Sequence, residues 1–139
     1  MKDPFDLERF VTAQNPVFES VCEELRRGCK EGHWMWFVFP QLRGLGHSWM
    51  ADKFGISSRE EADAYLRHSV LGPRLARCTE LVNHLDSDSA EQIFGYTDAM
   101  KFRSSMTLFS AVAPGEEVFS AALRKYFGGQ PDRLTLDRL

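Results

Sequence analysis

The chain has 139 residues, of which 43% are hydrophobic and 27% charged, and a formal charge of -3. That length fits one domain with a real core, and the composition excludes a disordered or collagen-like chain. The slight acidity excludes a protein built to grip nucleic acid phosphates over a broad basic face, and the apolar runs fall far short of the roughly 20 residues of a membrane span.

In chain order the punctuation is helical. Asp3 and Pro4 pair an N-cap residue with a Pro suited to a first turn, opening a helix over DPFDLERFVTAQ. Asn15 and Pro16 repeat the device. Val17, Val21, Leu25 and Cys29 then follow at four-residue spacing as one apolar stripe, and Gly32 stops the helix.

The next stretch, GHWMWFVFPQLRGLGHS over residues 32–48, has neither a helical nor a strand period. WMWFVF has strand character, but one lone strand leaves its backbone without partners. Residues 33–48 are therefore expected to form an irregular aromatic-rich segment, with Trp36, Phe37 and Phe39 anchoring it in the core.

Helical signals then resume. Ser58 and Glu61 have capping-box spacing ahead of Ala62, Tyr65 and Leu66. LGPRLARCTELVNHL follows with Leu75, Cys78, Leu81, Val82 and Leu85 on one face. Asp88 and Glu91 suggest a short helix ending at Gly95, Thr97 caps a long one that closes before Pro114, and EEVFSAALRKYFGG is amphipathic up to Gly128 and Gly129. The tail PDRLTLDRL has room for one more short helix. The expectation is an all-α fold, one compact domain over residues 1–139 with about seven helices.

Three Cys, at 22, 29 and 78, include no Cys-x-x-Cys pair and are odd in number. Reduced thiols packed at apolar helical positions are expected, in a cytoplasmic protein with no secretory leader. The four His, at 33, 47, 68 and 84, lack ligand spacing, so no metal is expected. Nothing calls for a cofactor, and there is neither a Gly-x-Ser-x-Gly elbow nor a local Cys/His nucleophile signature.

Two constellations carry possible chemistry. On the helix from Thr97, apolar residues lie on several faces, the mark of a helix buried on most sides, yet Asp98, Lys101 and Ser105 fall at i, i+3 and i+7 as one polar stripe. Either Asp98 complements the helix N-terminus and pairs with Lys101 at the surface, or the stripe lines a pocket, since buried charges are costly when left alone. In a desolvated pocket a Lys101 amine would lose its charge readily and attack an aldehyde carbon.

The second constellation is the loop after the aromatic run, where Gln41, Arg43, His47 and Ser48 stand beside Gly44 and Gly46. A structural turn and a phosphate cradle are both open readings, and the spacing matches neither a Walker loop nor a Rossmann fingerprint. Trp34 or Trp36 is suited to stack on a base. Glu60 and Glu61 are further carboxylates, Glu61 being accounted for by helix capping.

Four blocks in order, LERFVTAQ, GHWMWFVFPQLRGLGHS, EADAYLRHSVLGPRL and IFGYTDAMKFRSSMTLF, resemble a bacterial domain family of unknown function whose members are often mislabelled calpastatin. The resemblance runs from about residue 3 to 127. Calpastatin itself is a disordered repeat protein, unlike this compact, non-repetitive chain. The family looks like distant kin of the NADAR superfamily, mostly helical domains associated with NAD and ADP-ribose derivatives, and the tail ALRKYFGGQPDRLTLDRL is similar to the NADAR pattern. The NADAR Glu-x-x-x-Gln-x-x-Lys helix has only DAMK as a shortened counterpart here.

That kinship implies a NADAR-like helical fold and binding or N-glycosidic hydrolysis of ADP-ribose or a related nucleotide. Asp98 and Lys101 are then the catalytic candidates. Trp34, Trp36, Gln41, Arg43, Gly44, Gly46, His47 and Ser48 are ligand-binding candidates, together with Arg103, Ser104 and Ser105 on the long helix. Nucleic acid enters only as an ADP-ribosylated substrate, and no membrane partner is expected. The other open reading is a non-enzymatic module that holds a protein partner in an aromatic groove.

Overall fold

The computed structural model describes residues 2–139. Its helices are α1 (Glu8–Gln14), α2 (Phe18–Arg27), α3 (Met35–Val38), α4 (Trp49–Phe54), α5 (Arg59–Arg67), α6 (Leu71–Asn83), α7 (Ala90–Phe94), α8 (Tyr96–Val112), α9 (Glu117–Phe127) and α10 (Arg133–Arg138). Among the described residues there is no strand, and β-type pairing is limited to one isolated parallel bridge between Leu42 and Ile56. The chain is mainly helical, as the periodicity predicts.

Among the described residues the helix count is ten and not about seven. The tail accounts for one of the extra helices and the aromatic region for two. WMWFVF forms the single turn α3, and Ser48 caps α4 by accepting a hydrogen bond from Ala51 N at 3.1 Å. Elements of four and six residues are too short to display a 3.6-residue period.

Helix ends differ from the sequence expectation where another group satisfies the free N–H donors. Asp3 caps from a distance, accepting from Leu7 N at 2.8 Å and Glu8 N at 2.9 Å, so α1 starts at Glu8. Ser89 rather than Asp88 caps α7. Gly95, at φ 82, both ends α7 and begins α8, leaving Thr97 inside the helix. Likewise α2 stops at the left-handed Gly28 rather than Gly32, which places Cys29 outside the helix and exposed, not packed.

Helix α8 is the hub: α5, α7, α9 and α10 pack on it, while α6 closes the bundle against α2, α5 and α9. The short elements are fixed by polar ties. Gln14 at the end of α1 donates from Nε2 to the Phe37 carbonyl at 2.7 Å, which fastens α3 and hence its neighbouring tryptophans.

Between α5 and α6 the chain turns so tightly that a Cβ on Gly72 would lie 2.1 Å from the Leu66 carbonyl oxygen. Since the obstacle is backbone, Gly72→Ala is expected to destabilise by roughly 3 kcal/mol, the upper end for overpacking, read as a fall in the urea midpoint with unchanged m-value.

Candidate functional site

The irregular entry to α3 and the N-terminal turns of α8 meet on one face. Asp98, in the first turn of α8, is bound by Lys30 at 2.8 Å and by Lys101 at 3.6 Å. Each lysine also lies over an indole: Lys101 Nζ is 4.9 Å from the Trp36 ring centre and Lys30 Nζ is 5.1 Å from that of Trp34. Such cation–π contacts strengthen where water is partly excluded, and the Lys30 side chain is only 8% exposed against 23% for Lys101.

The two tryptophans exchange the roles expected from sequence. Trp34 is 2% exposed and its indole N–H donates to Glu24 Oε1 at 2.9 Å, so it is a core residue and not a free stacking platform. Trp36 is the half-buried one, and its indole nitrogen is buried without a hydrogen-bond partner. The reason is the helical turn of α3, which points Met35, Phe37 and Val38 inward and leaves Trp36 on the side facing α8.

Glu24 supports the arrangement from α2. Its Oε1 also accepts from Glu31 N at 2.7 Å and Gly32 N at 2.9 Å. Burial pushes its acidity toward a higher pKa, but the Gly32, Glu31 and Trp34 donors and the Lys30 charge outweigh this and hold the carboxyl below its usual value. Gly32 has no room for a side chain, since a Cβ would sit 2.8 Å from Trp34. Sequence reasoning did not single out Lys30 or Glu24. Both look like surface charges on an amphipathic helix and its exit, and Lys30 reaches Asp98 only through the tertiary fold.

Asp98 and Lys101 therefore form the i, i+3 pair that one reading of the helix anticipated, but within a cluster containing Lys30 and Trp36 rather than as an isolated surface pair. Lys101 lies between a carboxylate and a ring face rather than alone in an apolar pocket. Ser105, next along the stripe, is fully buried and its hydroxyl has no partner.

Most of the remaining candidates hold contacts elsewhere. Arg43 donates to the carbonyls of Asp52 at 3.3 Å and Gly55 at 3.2 Å. A Cβ on Gly44 would meet the Arg138 guanidinium at 2.9 Å, and one on Gly46 would meet Ala51 at 2.7 Å, so these glycines permit close packing of the loop on α10 and α4. Gln41 is half-buried, its carbonyl taken by Ile56 N at 2.9 Å, while His47 is exposed and Ser48 serves as the α4 cap. Arg103 binds the Gln130 and Pro131 carbonyls and Ser104 binds Asp132, tying the C-terminal segment to α8. The loop is thus a turn packed against α4 and α10, with Arg43, Gly44, His47 and Ser48 exposed.

Among the described residues no group of three or more His, Cys, Asp or Glu side chains is placed to hold a metal, and no helix is long and apolar enough to cross a membrane. With Glu24 counted, the two lysines and two carboxylates balance, so what the cluster offers is paired charge beside a buried indole donor without a partner. An unpaired donor of this kind suits a hydrogen-bond acceptor, while each lysine is already held by Asp98 and a ring face.

No curated protein matches the chain. The crystal structure of the conserved hypothetical protein Rv1873 from Mycobacterium tuberculosis is similar, at 60% sequence identity and a TM-score of 0.97, covering 99% of this chain and 98% of that chain. Neither that structure nor the matching family model carries a NADAR or a calpastatin label. The model of the family described as "Protein of unknown function (DUF1810)" matches residues 4–139, and the chain belongs to that family.

Proposed function

We propose that the chain binds ADP-ribose or a related NAD-derived nucleotide on the face formed by Lys30, Trp36, Asp98 and Lys101. One observation carries the reading: Trp36 lies beneath Lys101 with its indole N–H unpaired, beside a carboxylate shared by two lysines. A buried donor without a partner is costly, so it favours a ligand that brings an acceptor. The lysines supply charge for a pyrophosphate and the indole a surface for a base.

The same face accommodates N-glycosidic cleavage. A departing base leaves positive charge on the ribose, which a carboxylate stabilises. For Asp98 to do so, a lysine must yield to the sugar, and Lys101, held at 3.6 Å and more exposed than Lys30, is the one to move toward the phosphate or the opened ribose aldehyde.

Titration calorimetry with ADP-ribose tests the reading. Binding is expected for the native chain, with Lys101→Ala and Trp36→Ala each weakening it at least about tenfold, the scale of one charge-assisted hydrogen bond or stacking contact. Absence of heat and of thermal shift with ADP-ribose, NAD and ADP-ribosylated guanosine sinks it.

A second reading, a protein-binding module, draws on a different surface. Tyr96 is 67% exposed and lines, with Met100, Tyr126 and Phe127, an open groove of about 320 Å³. Under that reading Lys101→Ala leaves function intact and Tyr96→Ala impairs it.

A further inference from the structure

Helix α6 turns one long face to solvent. Leu71, Gly72, Leu75, Cys78, Thr79 and Val82 point into the bundle. The edges are fixed as well: Arg74 donates to Gln14 Oε1 at 3.3 Å on the α1 side, and Asn83 Nδ2 donates to the Val118 carbonyl at 3.0 Å on the α9 side. Outward lie Pro73, Ala76, Arg77, Glu80, Leu81 and His84, exposed or half-buried and spaced as one helical stripe.

Grooves border this stripe. Arg77 and, on α2, Phe18 and Glu19 line one of about 440 Å³, while Pro73 and Ala76 share another of about 420 Å³ with Leu66 of α5 and Ala113 after α8. An open hollow of about 540 Å³ lies over the stripe itself. A ridge with a groove on each side is the surface on which another helix packs.

We propose that this face joins two copies of the chain in a symmetric dimer, with the two α6 helices side by side and running in the same direction. The charges select both the occupant and the orientation. Among the described residues neither Arg77 nor Glu80 is ion-paired, so the face presents one cation and one anion. A partner of a single sign would satisfy one and repel the other, whereas a second copy supplies both.

Glu80 stands about 60° around the helix from Arg77 and about 4.5 Å further along it, so the two charges flank the midline of the stripe. A twofold axis parallel to α6 brings the Glu80 side of each copy onto the Arg77 side of the other, which forms two reciprocal pairs. In an antiparallel dimer like sides meet, and arginine faces arginine. Pro73, Ala76 and Leu81 provide the apolar contact.

The scale of the strip sets the expected strength. With 13 residues α6 is about 20 Å long, and helices spaced about 8–10 Å to either side leave a strip of about 400 Å². That falls short of the roughly 800 Å² per partner in a standard interface, so the association is weak and concentration-dependent. None of these residues belongs to the lysine–indole cluster, and the dimer stands apart from the nucleotide reading.

Sedimentation equilibrium of the full chain between about 1 µM and about 1 mM tests the proposal. The average mass is expected to climb from 15.9 kDa toward twice that value and no further. Arg77→Glu and Glu80→Arg are each expected to weaken self-association at least about tenfold. An equimolar mixture of the two variants, or both substitutions in one chain, restores it, because opposite charges again face each other. A native chain that stays monomeric throughout overturns the proposal, even if a substituted chain does not fold. So does assembly that grows beyond two copies, or dimerisation that neither charge reversal weakens.

Discussion

Replacing Glu61 by Ala is expected to cost about 3–5 kcal/mol of folding stability, the range for removing one member of a buried charge pair, measured by urea denaturation. Glu61 is 2% exposed and binds the Arg9 guanidinium at 2.8 Å, while its other oxygen accepts from Ser57 N at 2.9 Å and Ser57 Oγ at 2.7 Å. The remaining Arg9 donors reach the carbonyls of Phe5, Asp6, Lys53 and Gly55. Alanine would leave a cation, 10% exposed, with no counter-charge. A total stability of about 5–15 kcal/mol is usual for a domain, so the loss approaches unfolding.

The penalty is mostly that of the stranded charge, so the companion substitution discriminates. With Glu61→Leu and Arg9→Met together, part of the loss is expected to return, because no uncompensated charge remains. If the double replacement is as unstable as the two single losses added, the pair contributes nothing beyond two independent contacts.

Phe102→Ala is the second large effect, again about 3–5 kcal/mol. Phe102 is fully buried near the middle of α8, with ring centres at 4.8 Å to Phe94, 5.0 Å to Phe39, and 6.3 Å to both Tyr126 and Phe127. One side chain thus joins α7, α8, α9 and the segment after α3. Aromatic pairs add about 0.5–1.5 kcal/mol beyond burial, so Phe102→Leu, which keeps most of the volume, should lose less than half as much. Equal losses for Leu and Ala would mean that ring geometry, not filled volume, dominates. Phe39 and the site residue Trp36 flank the same turn, so Phe102→Ala should also weaken any ligand contact at Trp36.

These residues show how far the sequence reaches. The spacing of Ser58 and Glu61 identifies the capping relation, and Ser58 does cap α5 by accepting from Glu61 N at 3.1 Å. The Glu61 side chain, however, turns to Arg9, 52 positions away, a pairing that no local pattern announces. The apolar positions on several faces of α8 disclose a central helix, and α5, α7, α9 and α10 surround it. The same pattern does not tell which neighbour Asp98 meets, and Lys30 is absent from any reading confined to α8.

The aromatic run illustrates the converse. Its composition marks it as an anchor, but over four residues the difference between an extended strand and one helical turn decides which ring is buried. That choice rests on packing against α1, through the bond from Gln14 to the Phe37 carbonyl. It hides Trp34 and presents Trp36 to Lys101.

By itself, then, the sequence determined the all-helical class, the central position of α8, the Ser58 cap of α5, the stops at Gly95, before Pro114 and at Gly128, and the i, i+3 spacing that sets Asp98 and Lys101 on one stripe. All of these follow from local periodicity and from backbone donors satisfied within a few residues. Only the tertiary structure decided which indole faces Lys101, that Lys30 and Glu24 complete the charged cluster, and that the glycine loop packs on α4 and α10. Those depend on contacts between distant segments, where burial and the pairing of charges, rather than any local spacing, select the partner.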